Sequence, residues 1–234
     1  MPYIVYFLGP FLLAFFIGRR LLKAKYSVFA IGLLAFFAAW VCVMVVVGAS
    51  TLKQETILYS IVVSASAGLF EESSRFFAFR IFRGLRGNRD WNTGIMYAIG
   101  HSGMESIIVG GSLLLTIVVV KYAPQVLSPE VLNQSKAVLQ IGFLQELYYS
   151  FERLFVGLLI HSCFTSIVLL SLIKSQKRYL FLAMLWHCGH NMVGFNLGRL
   201  SEHWVAEKLW IVFIVVVYSW ALFKLRKTIA KGNT

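Results

Sequence analysis

The chain predicts an all-α bundle that crosses a membrane with about seven helices, and three features point to it. Of its 234 residues, 59% are hydrophobic and only 14% charged, whereas soluble domains run at about 45–50% apolar and about 25% charged. Apolar runs near or above the roughly 18 residues that span a bilayer recur from end to end. The lysines and arginines fall in the gaps between those runs, so residues 1–234 fit a single integral membrane domain.

The first apolar run, residues 3–18, leads straight into Arg19 and Arg20 without a small-residue cleavage site, as a retained anchor does. Further spans are predicted at 27–49, 57–79, 91–120, 151–173, 179–198 and 205–223. Those at 57–79, 91–120, 151–173 and 179–198 carry ionisable side chains, while the first, second and seventh carry almost none. Residues 123–150, with Pro124, Pro129 and the mixed pattern LNQSKAVLQIGFLQELYYS, are too polar to span. They predict an amphipathic helix lying in the outer interface.

Basic residues alternate in density from gap to gap: four in 19–25, one in 50–56, four in 80–89, two in 121–136, three in 174–178, two in 199–208 and four in 224–231. That puts fifteen on one side and five on the other, leaving Arg75 and Arg153 inside spans. The positive-inside rule then places the amino terminus outside and the carboxyl terminus in the cytoplasm. It also accounts for the net charge of +12 without a nucleic-acid partner, which would need a basic face on a folded soluble surface. The bilayer of a cell membrane is itself the expected partner. Cys42, Cys163 and Cys188 lie singly within apolar runs, which argues against a disulfide framework.

An ionisable group at mid-membrane costs at least about 2.5–3.5 kcal/mol, so such residues face a bundle interior and often carry function. Here they are Glu71, Glu72 and Arg75 in LFEESSRFF, His101 and Glu105 in GHSGMES, Glu152, Arg153 and His161 in FERLFVGLLIH, and His187, His190 and Asn191 in WHCGHN. At about 1.5 Å per helical residue, Glu71 lies about 14 Å from Arg80, His101 about 16 Å from Asp90, His161 about 20 Å from Lys174 and His187 about 14 Å from Arg178. Four helices thus bring ionisable groups to one level, between the cytoplasmic half and the middle of the core.

A lone membrane histidine usually serves as an interhelical hydrogen-bond partner, but a set at one depth calls for a shared site. Glu71 and Arg75, His101 and Glu105, and His187 and Asn191 are spaced i, i+4 and project from one face each. Three neutral imidazoles leave the fourth tetrahedral position of Zn²⁺ open to water, and a nearby carboxylate can take the proton as that water attacks a carbonyl. Glu72 and Arg75 read as a structural ion pair, and Glu152 and Arg153 as solvated side chains at the mouth of a span. His190 is rotated about 60° from His187 around the helix and supports the site from behind. Cys188 reads as a packed thiol, and His203 lies in an outer loop.

At these residues the sequence resembles the CAAX-protease-like superfamily of intramembrane metalloproteases, and within it the YhfC group. The superfamily pairs a double glutamate and an arginine on one helix, a histidine after an aromatic on the next, and a later HxxxN or HxxxD helix. Glu71, Glu72 and Arg75 match the first, Tyr97 and His101 the second, and His187 with Asn191 the third. Two residues, Ser73 and Ser74, separate Glu72 from Arg75 where the superfamily has three, and Tyr97 stands for a phenylalanine. Prenyl-peptide specificity is therefore not implied. The GHSGMES and ERLFVGLLIH stretches are similar to the YhfC group, which brings Glu105 and His161 into the site.

The resemblance implies a metal-dependent endopeptidase, with Zn²⁺ as its divalent ion, cutting a membrane-associated peptide or lipopeptide near the cytoplasmic half of the bilayer. His101, His161 and His187 are the expected ligands. Glu71 is the expected general base, with a ligand role as its alternative. Asn191 would donate to the oxyanion, and Glu105 would orient His101, as a supporting partner or as a fourth ligand. The rival readings are an ion, proton or metal transporter, whose relay would be stepped through the membrane, and a non-catalytic scaffold or immunity protein keeping the same fold.

Overall fold

The computed structural model describes residues 4–54, 56–139, 142–199 and 204–232, and they are helical nearly throughout, with no strand among them. Helix α1 (Ile4–Leu13) continues as a wider π-helix, Ala14–Leu21. It is followed by α2 (Tyr26–Ala49), α3 (Ile57–Ile81), the short α4 (Arg83–Arg86), α5 (Trp91–Tyr122), α6 (Pro129–Leu139), α7 (Phe143–Ile173), α8 (Arg178–Arg199) and α9 (Trp204–Gly232). A helix stands at each of the seven predicted spans. Five are long and apolar enough to cross a membrane on composition alone; α3 and α8 are the two that are not.

Local chemistry sets the helix starts. The Thr56 hydroxyl accepts from the Tyr59 amide and begins α3, and the Asp90 carboxylate accepts from the Thr93 amide and begins α5. The predicted interfacial segment 123–150 divides. Pro124–Val126 is a short 3₁₀ turn and Pro129–Leu139 a separate helix, but Phe143 to Ser150 are the first turns of α7. With no proline after Pro129, nothing local separates those turns from the apolar run that follows them.

Helix α2 packs on α5 and α3, α3 on α8, α5 on α7, and α7 on α9. Small residues let backbones approach closely where these helices cross. A Cβ at Gly32 of α2 would lie 3.2 Å from the Gly100 Cα of α5, and one at Gly68 of α3 would lie 2.6 Å from the Met184 carbonyl oxygen of α8. Both crossings fall within a turn or so of the ionisable residues, so they fix how close the site-bearing helices stand.

The four gaps rich in lysine and arginine meet at one end of the bundle. Ala24, Leu85, Trp91, Ile173, Tyr179 and Leu225, which border those gaps, share one apolar cluster. The Asn92 side-chain amide donates to the Leu22 carbonyl at 3.1 Å across the same end. At the opposite end Lys208 Nζ lies 3.5 Å from Glu152 Oε2. The alternation of charge seen along the chain is thus a separation of charge in space.

Candidate metal centre

Each site-bearing helix delivers its polar residues to one buried cluster between α3, α5, α7 and α8. Glu71 Oε2 lies 3.0 Å from His101 Nε2, and its other oxygen lies 3.9 Å from His187 Nε2. Glu72 Oε1 is shared by the Arg75 guanidinium and by His187 Nδ1, the latter at 2.7 Å. Arg75 also reaches across to α7, with Nη2 2.5 Å from His161 Nδ1 and 3.5 Å from Glu71 Oε2. On the far side of the His161 ring, Nε2 lies 2.8 Å from Glu105 Oε2, and Arg153 Nη2 is 2.6 Å from Glu105 Oε1.

Donor and acceptor roles follow from chemistry that cannot be reversed. Arginine has no acceptor, so the Arg75 contact makes His161 Nδ1 the unprotonated nitrogen, and His161 Nε2–H donates to Glu105. The Glu72 carboxylate likewise takes the Nδ1–H of His187, and Nε2 of that ring faces Glu71. Aromatic walls hold the rings. Phe164 stacks on His187 at 4.6 Å between centroids, and Phe36 of α2 meets His101 edge-on at 4.8 Å. Tyr97 lies over His101 at 5.9 Å.

Among the described residues, Glu71, His101 and His161 have donor atoms within 4.8 Å of one another, and all three are buried. Two imidazoles and a carboxylate are a familiar Zn²⁺ set with one position open, and because ligand atoms about 2.0–2.2 Å from a tetrahedral ion stand about 3.3–3.6 Å apart, these donors would close up slightly around it. The Arg75 guanidinium already sits against two of the three residues, so the donors converge on positive charge, and an ion there competes with Arg75 for the same lone pairs. By donor type the residues fit a divalent ion, which would take its place by displacing Arg75 from His161 and Glu71. His187, expected as a third histidine ligand, stands outside this group, with its ring centre 6.2 Å from that of His161.

Several expected partners differ. Glu105 bonds His161 and Arg153 and not His101, because α7 presents both residues to it from across the interface. Arg153, read as solvated, holds that carboxylate. Arg153, Gly157 and His161 are spaced i, i+4, i+8 on one helical face, and that spacing is the signal that marks Arg153. Glu72 serves His187 as well as Arg75. His190 meets the Tyr218 hydroxyl at 3.0 Å and lines the cavity beside the cluster together with Asn191. Cys188 borders Gly68 at the α3–α8 crossing, as a packed thiol does. His203 lies outside the described residues.

Glu72 and Arg75 are fully buried, and removing one partner of such a pair leaves an uncompensated charge, at a cost of roughly 3–5 kcal/mol. Arg75→Ala is therefore expected to lower the yield and melting temperature of detergent-purified protein. A variant as stable as the parent but inactive would give Arg75 a part in the reaction itself.

A polytopic bundle with carboxylates and imidazoles gathered at one buried centre defines a membrane protein with an intramembrane polar site. The profile of the YhfC intramembrane metalloprotease family matches residues 4–216, and the chain belongs to that family. It is a multi-pass protein of the cell membrane. A relative from Bacillus subtilis (strain 168), "Uncharacterized membrane protein YhfC", is 30% identical over 114 residues, covering 45% of this chain and 43% of the relative. No solved structure matches.

Proposed function

We propose that the chain is a metal-dependent endopeptidase that hydrolyses a peptide bond in a membrane-associated peptide or lipopeptide. The observation that supports this most is the buried convergence of Glu71, His101 and His161 from three helices, next to a histidine oriented by Glu72. These three would hold the ion, and the imidazole and carboxylate donors suit Zn²⁺. When bound, the ion supplies a Lewis acid that polarises a carbonyl and acidifies water.

The chain's own groups divide the remaining work. Glu71, left open by the sequence between base and ligand, is a ligand in this reading because its carboxylate sits within the donor group. His187 accepts the proton of the attacking water at Nε2 and returns it to the leaving amine. Glu72 keeps the His187 ring in the required tautomer, as the carboxylate of a catalytic triad does. The Asn191 amide donates a hydrogen bond to the developing oxyanion. Glu105 and Arg153 hold His161 from the other side. Burial of the cluster keeps bulk water from competing with these contacts.

The test is cleavage by protein reconstituted in liposomes with membrane-anchored peptides, the products being located by mass spectrometry. A cut that stops with a chelator and returns with Zn²⁺ supports the reading. No cut in any peptide, together with ion or proton flux that depends on Glu71, overturns it in favour of transport.

A further inference from the structure

The buried donor group adjoins a cavity of about 690 Å³, and the direction in which that cavity runs is informative. On α2 its lining extends from Phe36 to Met44, on α5 from Glu105 to Val109, and on α8 from His187 to Phe195. These helices start at the basic-rich end, so each contributes the part that lies beyond the site toward the basic-poor end. Helices α3, α7 and α9 start at the basic-poor end, and they contribute their earlier parts, from Val63 to Glu71, Tyr149 to His161 and Glu207 to Ile214. No lining residue lies between the donors and Arg80, Asp90, Lys174 or Arg178.

The opposite path is packed shut. Phe79, Leu85, Met96, Tyr97 and Leu169, which lie between the donors and the basic-rich end, are fully buried. Side-chain exposure rises in the other direction, from 0% at His101 to 10% at Glu71, 30% at Glu105 and 43% at Arg153. The Glu105–Arg153 pair therefore stands at the more open end of the cavity. Beyond it the wall mixes charge, at Glu152 and Glu207, with apolar rings, at Trp40 and Trp210. Such a wall suits a segment that lies at a membrane surface.

We propose that substrate reaches the donor group from the basic-poor face, past the Glu105–Arg153 pair. By the positive-inside rule that face is extracytoplasmic. The inference rests on the peptidase reading for its chemistry and names the substrate class: a peptide segment exposed outside the cell and tethered to the outer leaflet. The depth of the donors, toward the cytoplasmic half, sets where the bond is cut, and the cavity sets the side from which it arrives.

Single cysteines in full-length protein whose native Cys42, Cys163 and Cys188 are replaced by alanine can test this, using a membrane-impermeant methanethiosulfonate on intact cells. Ile108→Cys and Val156→Cys probe the cavity, Lys53→Cys marks the basic-poor end and Arg86→Cys the basic-rich end. The proposal expects both cavity cysteines and Lys53→Cys to react from outside, with Arg86→Cys reacting only in inside-out vesicles. It is overturned if the cavity cysteines react only from the side of Arg86→Cys, or from neither side, or if Arg86→Cys reacts from outside. The readout needs no turnover, so outside access combined with an absence of peptide cleavage leaves this inference standing and sinks the peptidase reading alone.

Discussion

His161→Ala is expected to strip the protein of its ion and of its cleavage together. His161 is one of three residues whose donor atoms lie within 4.8 Å of one another, and two protein ligands rarely hold Zn²⁺ as three do. The same substitution unties both ends of a chain of contacts, since Arg75 loses the partner at 2.5 Å and Glu105 the partner at 2.8 Å. Metal content by mass spectrometry, measured beside cleavage of an anchored peptide, should fall to background in both columns. Retained metal with lost cleavage would move His161 from ligand to proton carrier.

His187→Gln should give the opposite signature. Glutamine keeps a donor for Glu72 but cannot take up a proton, so the ion should stay while kcat falls by about 10²–10⁴-fold. Glu72→Gln should fall in the same direction, because the carboxylate that fixes the His187 tautomer at 2.7 Å is gone. If the ion leaves with His187→Gln, then His187 is a ligand after all and Glu71 takes the role of base.

Much of this site was legible in the sequence because a membrane interior makes polar residues conspicuous. Glu71, His101, His161 and His187 were legible as a group through depth alone, since rise per residue converts sequence separation into distance from a charged boundary. Glu72 with Arg75 was legible because a buried guanidinium requires a carboxylate. Sequence spacing fixes which residues share a face but not how far a side chain bends toward a neighbouring helix. Glu105 therefore looked like the partner of His101, one turn away, and proved to bond His161 on α7. For the same reason spacing did not single out Glu71, His101 and His161 as the side chains that approach one another most closely.

Apolar residues hid the rest. Phe36 and Phe164 fix the histidine rings, yet each is one phenylalanine among 20 in the chain, and no spacing separates them from lipid-facing rings. The cavity was hidden too, because its direction depends on which half of every helix is packed against a neighbour. On the fold, the helices α3 and α8 were legible only by accepting their polar residues as interior. The composition of residues 143–150 concealed that they extend α7.

The central claim is that Glu71, His101 and His161 hold one divalent ion, and X-ray absorption at the zinc edge of purified protein tests it most directly. The account expects about one ion per chain, with two imidazole nitrogens at about 2.0–2.1 Å, a carboxylate oxygen at about 2.0–2.2 Å and no sulfur. The Glu71→Ala and His101→Ala proteins should lose that signal. A parent protein without bound metal would contradict the account, as would an ion with a sulfur neighbour at about 2.3 Å.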